Sequence, residues 1–383
     1  MIQIGVIGAG AMGSGIAQVA AQSGHSVVLY DSNISVVEKA IHNIKNSLNK
    51  LVEKGKINAE EATKIADRIK AIDAISDFKN CGLVIEAIIE KLEIKQSVFS
   101  EIEMVVSDQC ILASNTSSLS IAAISSVIQK KGRFIGIHFF NPATIMPLVE
   151  IIPSFTTDEN IVQNSISLIK SWSKTTVLAK DTPGFIVNRI ARPFYGEALR
   201  IYEEGIADFA TIDWAMKEIG GFKMGPFELM DFIGHDVNFR VTETVFEQMF
   251  YDPRYKPSIT QKRIFEAGCY GRKSGRGYYD YSKALPEPKQ EKELGYKIFM
   301  RVLVMLVNEA AEAVHLNIAT TNDIETAMQK GVNYPKGLLA WADEIGIDVI
   351  YEHLQSLYEW YQEDRYRPSI LLKMKNINKQ SFV

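Results

Sequence analysis

His138 closes an apolar run that begins at Phe134, and Glu150 stands in the next such run, Leu148 to Ile152. Histidine is the side chain whose ordinary pKa suits proton transfer near neutral pH. A carboxylate that accepts a hydrogen bond from the second ring nitrogen fixes the tautomer and stabilises the imidazolium formed when a proton arrives. The pair fits the removal of a hydroxyl proton from a secondary alcohol while the carbon bearing it gives up hydride. A strand-end histidine taken alone is more often structural, so the remaining residues must show whether a hydride acceptor is at hand.

Gly8-Ala9-Gly10-Ala11-Met12-Gly13 follows a strand-like run, Ile4 to Ile7, and opens a helical pattern. In that context a G-x-G-x-x-G sequence builds a dinucleotide site. The first glycine permits the tight turn, the second lets backbone approach a pyrophosphate, and the third lets helix pack on strand. The phosphates then sit on the helix N-terminus, where free N–H groups and the dipole favour an anion. Asp31 ends the second strand-like run and can accept hydrogen bonds from ribose hydroxyls. It would repel a 2′-phosphate, and Ser32-Asn33 brings no arginine, so NAD is expected over NADP. The plainer alternative for Asp31 is a cap on the following helix.

These groups need a scaffold. Ile4 to Ile7, Ser26 to Tyr30, Leu83 to Ile88, Ile111 to Ala113, Phe134 to His138 and Leu148 to Ile152 alternate with helical patterns, which predicts parallel strands with crossover helices and places His138 where α/β sheets bind ligands. Ser35 to Ile69, broken at Gly55 and rich in Lys and Glu, reads as a protruding helical hairpin rather than core. Past Asp181-Thr182-Pro183-Gly184 the periodicity becomes almost wholly helical, interrupted by a Pro- and Lys-rich bridge at Ala284 to Lys292. This helical half repeats. Glu197-Ala198 and Glu309-Ala310, Ile206-Ala207 and Ile318-Ala319, Gly225 and Gly337, Asp231 and Asp343, and Gly234 and Gly346 are each 112 residues apart, and Arg254-Tyr255-Lys256-Pro257-Ser258 matches Arg365-Tyr366-Arg367-Pro368-Ser369 at 111. The expected architecture is an α/β Rossmann domain over 1–181 followed by an all-α domain in two tandem copies, 182–283 and a degenerate 293–383.

Composition sets the outer limits. With 46% hydrophobic and 23% charged residues over 383 positions the chain is globular and long enough for two or three domains. A net charge of -4 argues against a nucleic-acid partner. Three scattered cysteines offer no metal-ligand spacing and suit the cytoplasm, and neither a leader nor a membrane-spanning apolar run is read.

Four segments now occur together: Ser114-Asn115-Thr116-Ser117-Ser118-Leu119, His138-Phe139-Phe140-Asn141-Pro142, Met146-Pro147-Leu148-Val149-Glu150 and Thr182-Pro183-Gly184-Phe185-Ile186-Val187-Asn188-Arg189. In this order after the glycine fingerprint, the sequence resembles the L-3-hydroxyacyl-CoA dehydrogenase family, including the 3-hydroxybutyryl-CoA dehydrogenases. The resemblance runs from Met1 to about Tyr281 and weakly through the second helical copy. It implies NAD-dependent oxidation of a short (S)-3-hydroxyacyl-CoA in fatty-acid or butanoate metabolism, with His138 as base and Glu150 as its partner. It further implies that Ser117 and Asn188 hold the substrate's oxygens. Glu90, Lys95, Asn141, Lys273 and Ser117 would approach the cofactor, and Ser47 and Lys54 would meet the nucleotide part of coenzyme A, with Lys45, Lys50 and Lys56 as further cations nearby.

Residue type alone gives blander roles: turn or cap residues at Ser117 and Asn188, an exposed helix face at Glu90 and Lys95, a cationic surface turn at Lys273. Two other functions fit a Rossmann-plus-helical plan, a dehydrogenase of free hydroxy acids and a structural lens-type protein, but neither needs coenzyme A contacts. Members with one helical copy resemble dimers, so a second copy predicts a monomeric pseudo-dimer with one active site in preference to a homodimer. Met300, standing 112 residues after Asn188, marks the second copy as degenerate.

Overall fold

The computed structural model describes Met1–Val383, which divide into two units, Met1–Thr182 and Pro183–Val383. In the first unit β1 (Gln3–Ile7), β2 (Val27–Tyr30), β3 (Ile69–Ala71), β4 (Cys81–Glu86), β5 (Ile111–Ser114), β6 (Phe134–Phe139), β7 (Leu148–Pro153) and β8 (Thr175–Leu178) form one sheet in the order β3-β2-β1-β4-β5-β6-β7-β8. Six of these are the apolar runs of the sequence. The short edge strands β3 and β8 carry no apolar alternation, because an edge strand buries little; only Ile69 and Val177 of the two are buried.

All pairings are parallel except β6 with β7, which is antiparallel. This corrects the uniformly parallel expectation. The segment between Phe139 and Leu148 is too short for a crossover helix, so the chain can only turn back on itself.

α1 (Ala11–Gln22) links β1 to β2, and α2 (Ile34–Glu53) with α3 (Ala59–Asp67) forms the hairpin before β3. The hairpin does not protrude free of the core. Val37, Ala40, Ile44 and Leu48 recur at helical spacing along one face of α2 and are buried with Ala62 and Ile65 of α3 in the same apolar cluster as β1 and β2. Each large aliphatic side chain so buried contributes roughly 1.5–3 kcal/mol, which outweighs the charged outer face in deciding where the hairpin lies. α4 (Leu92–Glu103), α5 (Ile121–Ile124) and α6 (Glu159–Ser171) complete the unit.

The second unit is helical: α7 (Val187–Ile190), α8 (Arg192–Glu203), α9 (Phe209–Trp214), α10 (Pro226–Ile233), α11 (His235–Gln248), α12 (Ile259–Glu266), α13 (Lys292–His315), α14 (Thr321–Gly331), α15 (Leu338–Ile345), α16 (Ile347–Tyr361) and α17 (Ile370–Asn378). α13 is its axis, buried continuously from Ile298 to Ala311. It carries Arg301, Asn308 and Glu309 in that run, and no helix of the protein is long and apolar enough to cross a membrane.

Positions 112 residues apart in the two helical segments adopt similar local structure. Gly234 between α10 and α11 has φ 97°, and Gly346 between α15 and α16 has φ 109°, conformations that side-chain-bearing residues rarely adopt. Asp213 accepts the Phe227 and Glu228 amides at 2.9 and 2.8 Å to cap α10; Glu325 accepts the Leu339 and Ala340 amides at 2.9 and 3.1 Å to cap α15. A buried set of polar contacts is exchanged between the segments. Arg189 Nε and the Tyr255 hydroxyl donate to Glu309 Oε1 at 2.6 and 2.5 Å, while Arg301 Nε and the Tyr366 hydroxyl donate to Glu197 Oε1 at 2.7 and 2.5 Å. Burial opposes the charge on Arg189, yet Glu309 holds its pKa above the ordinary value.

Candidate active site

The antiparallel register sets His138 directly opposite Glu150, so the two side chains share one face of the sheet. His138 Nδ1 and Glu150 Oε2 lie 2.7 Å apart, with Glu150 fully buried and His138 nearly so. A carboxylate accepts only, so Nδ1 carries the hydrogen of this bond. The Phe140 ring packs at 4.6 Å from the imidazole centroid. Asn115, a residue the sequence did not single out, accepts the Phe139 amide at 2.8 Å and fixes the end of β6.

The glycine loop at the C-terminal end of β1 has the geometry of a phosphate cradle. Gly8 has φ 98°, a Cβ on Gly13 would fall 1.7 Å from the Gly8 carbonyl oxygen, and a Cβ on Gly10 would meet nothing within 4 Å. Gly8 and Gly13 are therefore held by the turn and the helix packing, whereas Gly10 faces open space where an anion can approach. α1 begins at this loop with no side-chain cap and no acidic residue in its first turn, which leaves its N–H groups to a ligand. Asp31 Oδ2 accepts the Ala9 amide at 2.9 Å, joining the end of β2 to the loop. The cap of α2 is Asn33, which accepts the Ser35 amide, so capping does not account for Asp31. These residues fit a dinucleotide with free ribose hydroxyls.

A buried network stands beside the loop. Lys95, only 1% exposed, donates from Nζ to Glu86 Oε1 at 2.6 Å and lies 3.1 Å from Glu90 Oε2. Glu90 Oε1 in turn accepts from Thr116 Oγ1 at 2.5 Å, from the Ser117 amide at 3.0 Å and from Ser118 Oγ at 3.2 Å. Burial works against ionisation of Glu90, but Lys95 and these hydrogen bonds outweigh it and hold the carboxyl below its ordinary range. Glu90 precedes α4 and Lys95 is enclosed within it, so neither belongs to an exposed helix face. Glu86, fully buried and also bonded to Ser114 Oγ at 2.6 Å, was missed; its signal was a charge inside an apolar run, which is rarely buried unless paired.

Asn141 lies exposed in the turn between β6 and β7, preceding a cis proline at Pro142. Lys174, another missed residue, spans that turn by donating to the Ala143 and Met146 carbonyls at 2.6 and 2.8 Å, and burial lowers its pKa. On α2, Ser47 is half-buried beside Gln18, whereas Lys45, Lys50, Lys54 and Lys56 are exposed. In the second unit Asn188 sits on α7, its carbonyl accepting from Arg192 Nε at 2.9 Å. The ammonium of Lys273 pairs with Asp236 and lies 5.8 Å from the Tyr270 ring centroid. No group of three or more His, Cys, Asp or Glu residues converges as metal ligands.

Comparison with known families matches residues 3–182 to "3-hydroxyacyl-CoA dehydrogenase, NAD binding domain" and residues 184–281 and 298–380 to "3-hydroxyacyl-CoA dehydrogenase, C-terminal domain". The chain is similar to the 3-hydroxyadipyl-CoA dehydrogenase of Escherichia coli (strain K12), 35% identical with 97% of each chain covered. It is 41% identical to a probable 3-hydroxybutyryl-CoA dehydrogenase of Deinococcus radiodurans, which is covered over its whole length by 73% of this chain. Among solved structures, a 3-hydroxybutyryl-CoA dehydrogenase from Escherichia coli K12 superposes with a TM-score of 0.95 at 34% identity, covering 98% of both chains.

Proposed function

The chain belongs to the 3-hydroxyacyl-CoA dehydrogenase family and is an NAD-dependent oxidoreductase of 3-hydroxyacyl-CoA thioesters, and we propose that it acts on short acyl chains through His138 and Glu150. The observation that carries this reading is the 2.7 Å hydrogen bond between His138 Nδ1 and Glu150 Oε2. In this reading Nε2 takes the hydroxyl proton, and the buried carboxylate stabilises the imidazolium. Bound NAD supplies the hydride acceptor. Gly8, Gly10 and Gly13 shape the loop for its pyrophosphate, and Asp31 meets its adenosine ribose. Ser117, held by Glu90, and Asn188 orient the substrate's oxygens. Lys95 acts on the cofactor side through Glu90 rather than by direct contact, since its ammonium is enclosed by two carboxylates. Asn141 and Lys273 complete the cofactor contacts, and Ser47 and Lys54, with the neighbouring lysines of the hairpin, face the phosphates of coenzyme A.

The second helical segment is proposed to be a degenerate copy of the first, over 293–383, standing in for the partner subunit of single-copy relatives. Its support is reciprocal: Arg189 and Tyr255 reach Glu309 as Arg301 and Tyr366 reach Glu197, the pattern a two-fold interface demands. A monomer with one active site follows. The three free cysteines suit the cytoplasm.

NADH oxidation measured against acetoacetyl-CoA, longer 3-ketoacyl-CoAs and free acetoacetate tests the function. Turnover should be fastest with short thioesters; preference for free acetoacetate would favour a dehydrogenase of free hydroxy acids instead.

A further inference from the structure

The glycine-rich turn that carries Lys273 is fastened to one carboxylate. Asp231, near the C-terminal end of α10 and 1% exposed, accepts the Tyr278 and Tyr279 amides at 3.0 Å each. It also accepts from the Tyr281 hydroxyl at 3.1 Å and from His235 Nε2 at 2.8 Å. A Cβ on Gly277 would fall 2.0 Å from Asp231 Oδ1, and one on Gly271 would fall 2.2 Å from the Asp231 carbonyl oxygen. The turn from Gly271 to Tyr281 therefore closes directly over Asp231, which only glycine permits at these two points. Between them, backbone pairing of Gly271 with Arg276 and of Arg276 with Asp280 sets the shape of the turn.

The lysine on this turn is directed by a second carboxylate. The Lys273 ammonium lies against Gly234, where a Cβ would meet Nζ at 2.6 Å. It pairs with Asp236 Oδ1, an atom shielded from solvent that has no other polar partner. An ammonium has three hydrogens to donate; Asp236 takes one, and the rest stay available to a ligand. The second helical segment keeps both aspartates and lacks the lysine. Asp343 accepts the Phe382 and Val383 amides as Asp231 accepts those of Tyr278 and Tyr279. Asp348 Oδ1 stands 2.7 Å from the Cβ position of Gly346, as Asp236 Oδ1 does from that of Gly234, but no lysine lies against Gly346.

We infer that Asp231 and Asp236 are positioning residues for Lys273, Asp231 by fixing the turn and Asp236 by directing the ammonium, and that they set the affinity for the nicotinamide cofactor. The inference rests on the proposed contact of Lys273 with that cofactor. A long side chain held in place before the ligand arrives loses less freedom on binding, so the effect belongs to cofactor affinity.

Fluorescence titration of the full chain with NADH, together with KM for NADH and kcat from steady-state rates, tests it. Lys273→Met should raise the NADH Kd by roughly tenfold. Asp236→Asn should raise it by about three- to fivefold, with a matching rise in KM rather than a fall in kcat, and Asp231→Asn by at least as much. In the Lys273→Met background neither change should weaken binding by more than about twofold, because both act through that lysine. Asp348→Asn, the same change in the second segment, should leave the Kd at its wild-type value. An unchanged Kd in Lys273→Met removes the lysine from the cofactor, and the proposed contact falls together with the inference. A weakened Lys273→Met beside an Asp236→Asn that binds NADH as well as the wild type, or more tightly, overturns the positioning alone. Losses that add fully in the double variants, or an equal loss in Asp348→Asn, make the aspartates structural only. Should Asp231→Asn fail to fold, the partly exposed Asp236 decides.

Discussion

Asp31 holds the glycine loop through the Ala9 amide, and in the proposed function its carboxylate also meets the ribose. Replacing it by serine removes one negative charge that would repel a 2′-phosphate, so Asp31→Ser should raise kcat/KM with NADP relative to NAD. An unchanged cofactor ratio would assign the discrimination elsewhere. If His138 is the base proposed, His138→Gln should lower turnover by roughly 10² to 10⁴ while NADH binding, followed by fluorescence titration, is retained. Glu150→Gln should lower turnover as well, because a neutral amide cannot offset the imidazolium. Wild-type turnover in either variant removes that residue from the chemistry.

Among elements, the caps of α10 and α15 are built alike from different side chains. Burial pushes the Asp213 carboxyl up to about 7, against hydrogen bonds from the Tyr279 hydroxyl and the Phe227 and Glu228 amides that favour its charge. Burial likewise raises Glu325 above the ordinary range. The folded protein therefore holds the Asp213 proton more tightly than the unfolded chain does. Its contribution to stability is fully present below about pH 4 and is lost as pH rises through about 7, a change on the order of 4 kcal/mol. Urea unfolding from pH 4 to 8 should show a downward slope in the wild type that is flatter in Asp213→Asn. A parallel slope in the variant would mean that Asp213 is ionised throughout.

For the molecule as a whole the exchanged contacts around α13 carry the argument. Removing Glu309 strips Arg189 of its only carboxylate, and breaking a buried pair from one side costs roughly 3–5 kcal/mol. Glu204→Ala should cost less, because Arg301 keeps Glu197 at 2.7 Å. Denaturant titration of Glu309→Ala and Glu204→Ala checks the order, and equal losses would contradict it. If the second segment replaces a partner subunit, light scattering after size exclusion should give a concentration-independent 42.9 kDa. Twice that mass would show that the second segment does not replace a partner subunit.

The reading from sequence and the folded chain agree where the signal is local. The glycine fingerprint, six of the eight strands and the break at Asp181-Thr182-Pro183-Gly184 were legible because turn geometry and apolar periodicity are written in neighbouring residues. The pairing of His138 with Glu150 was legible in part: both residue types stood at suitable points, but only the antiparallel return of β7 faced them across one rung. Glu86 with Lys95 and the closure of the Asn141 turn by Lys174 belong to the tertiary structure alone. Each depends on which distant groups share a low-dielectric interior, and a linear sequence records the charge of a side chain without recording who meets it there.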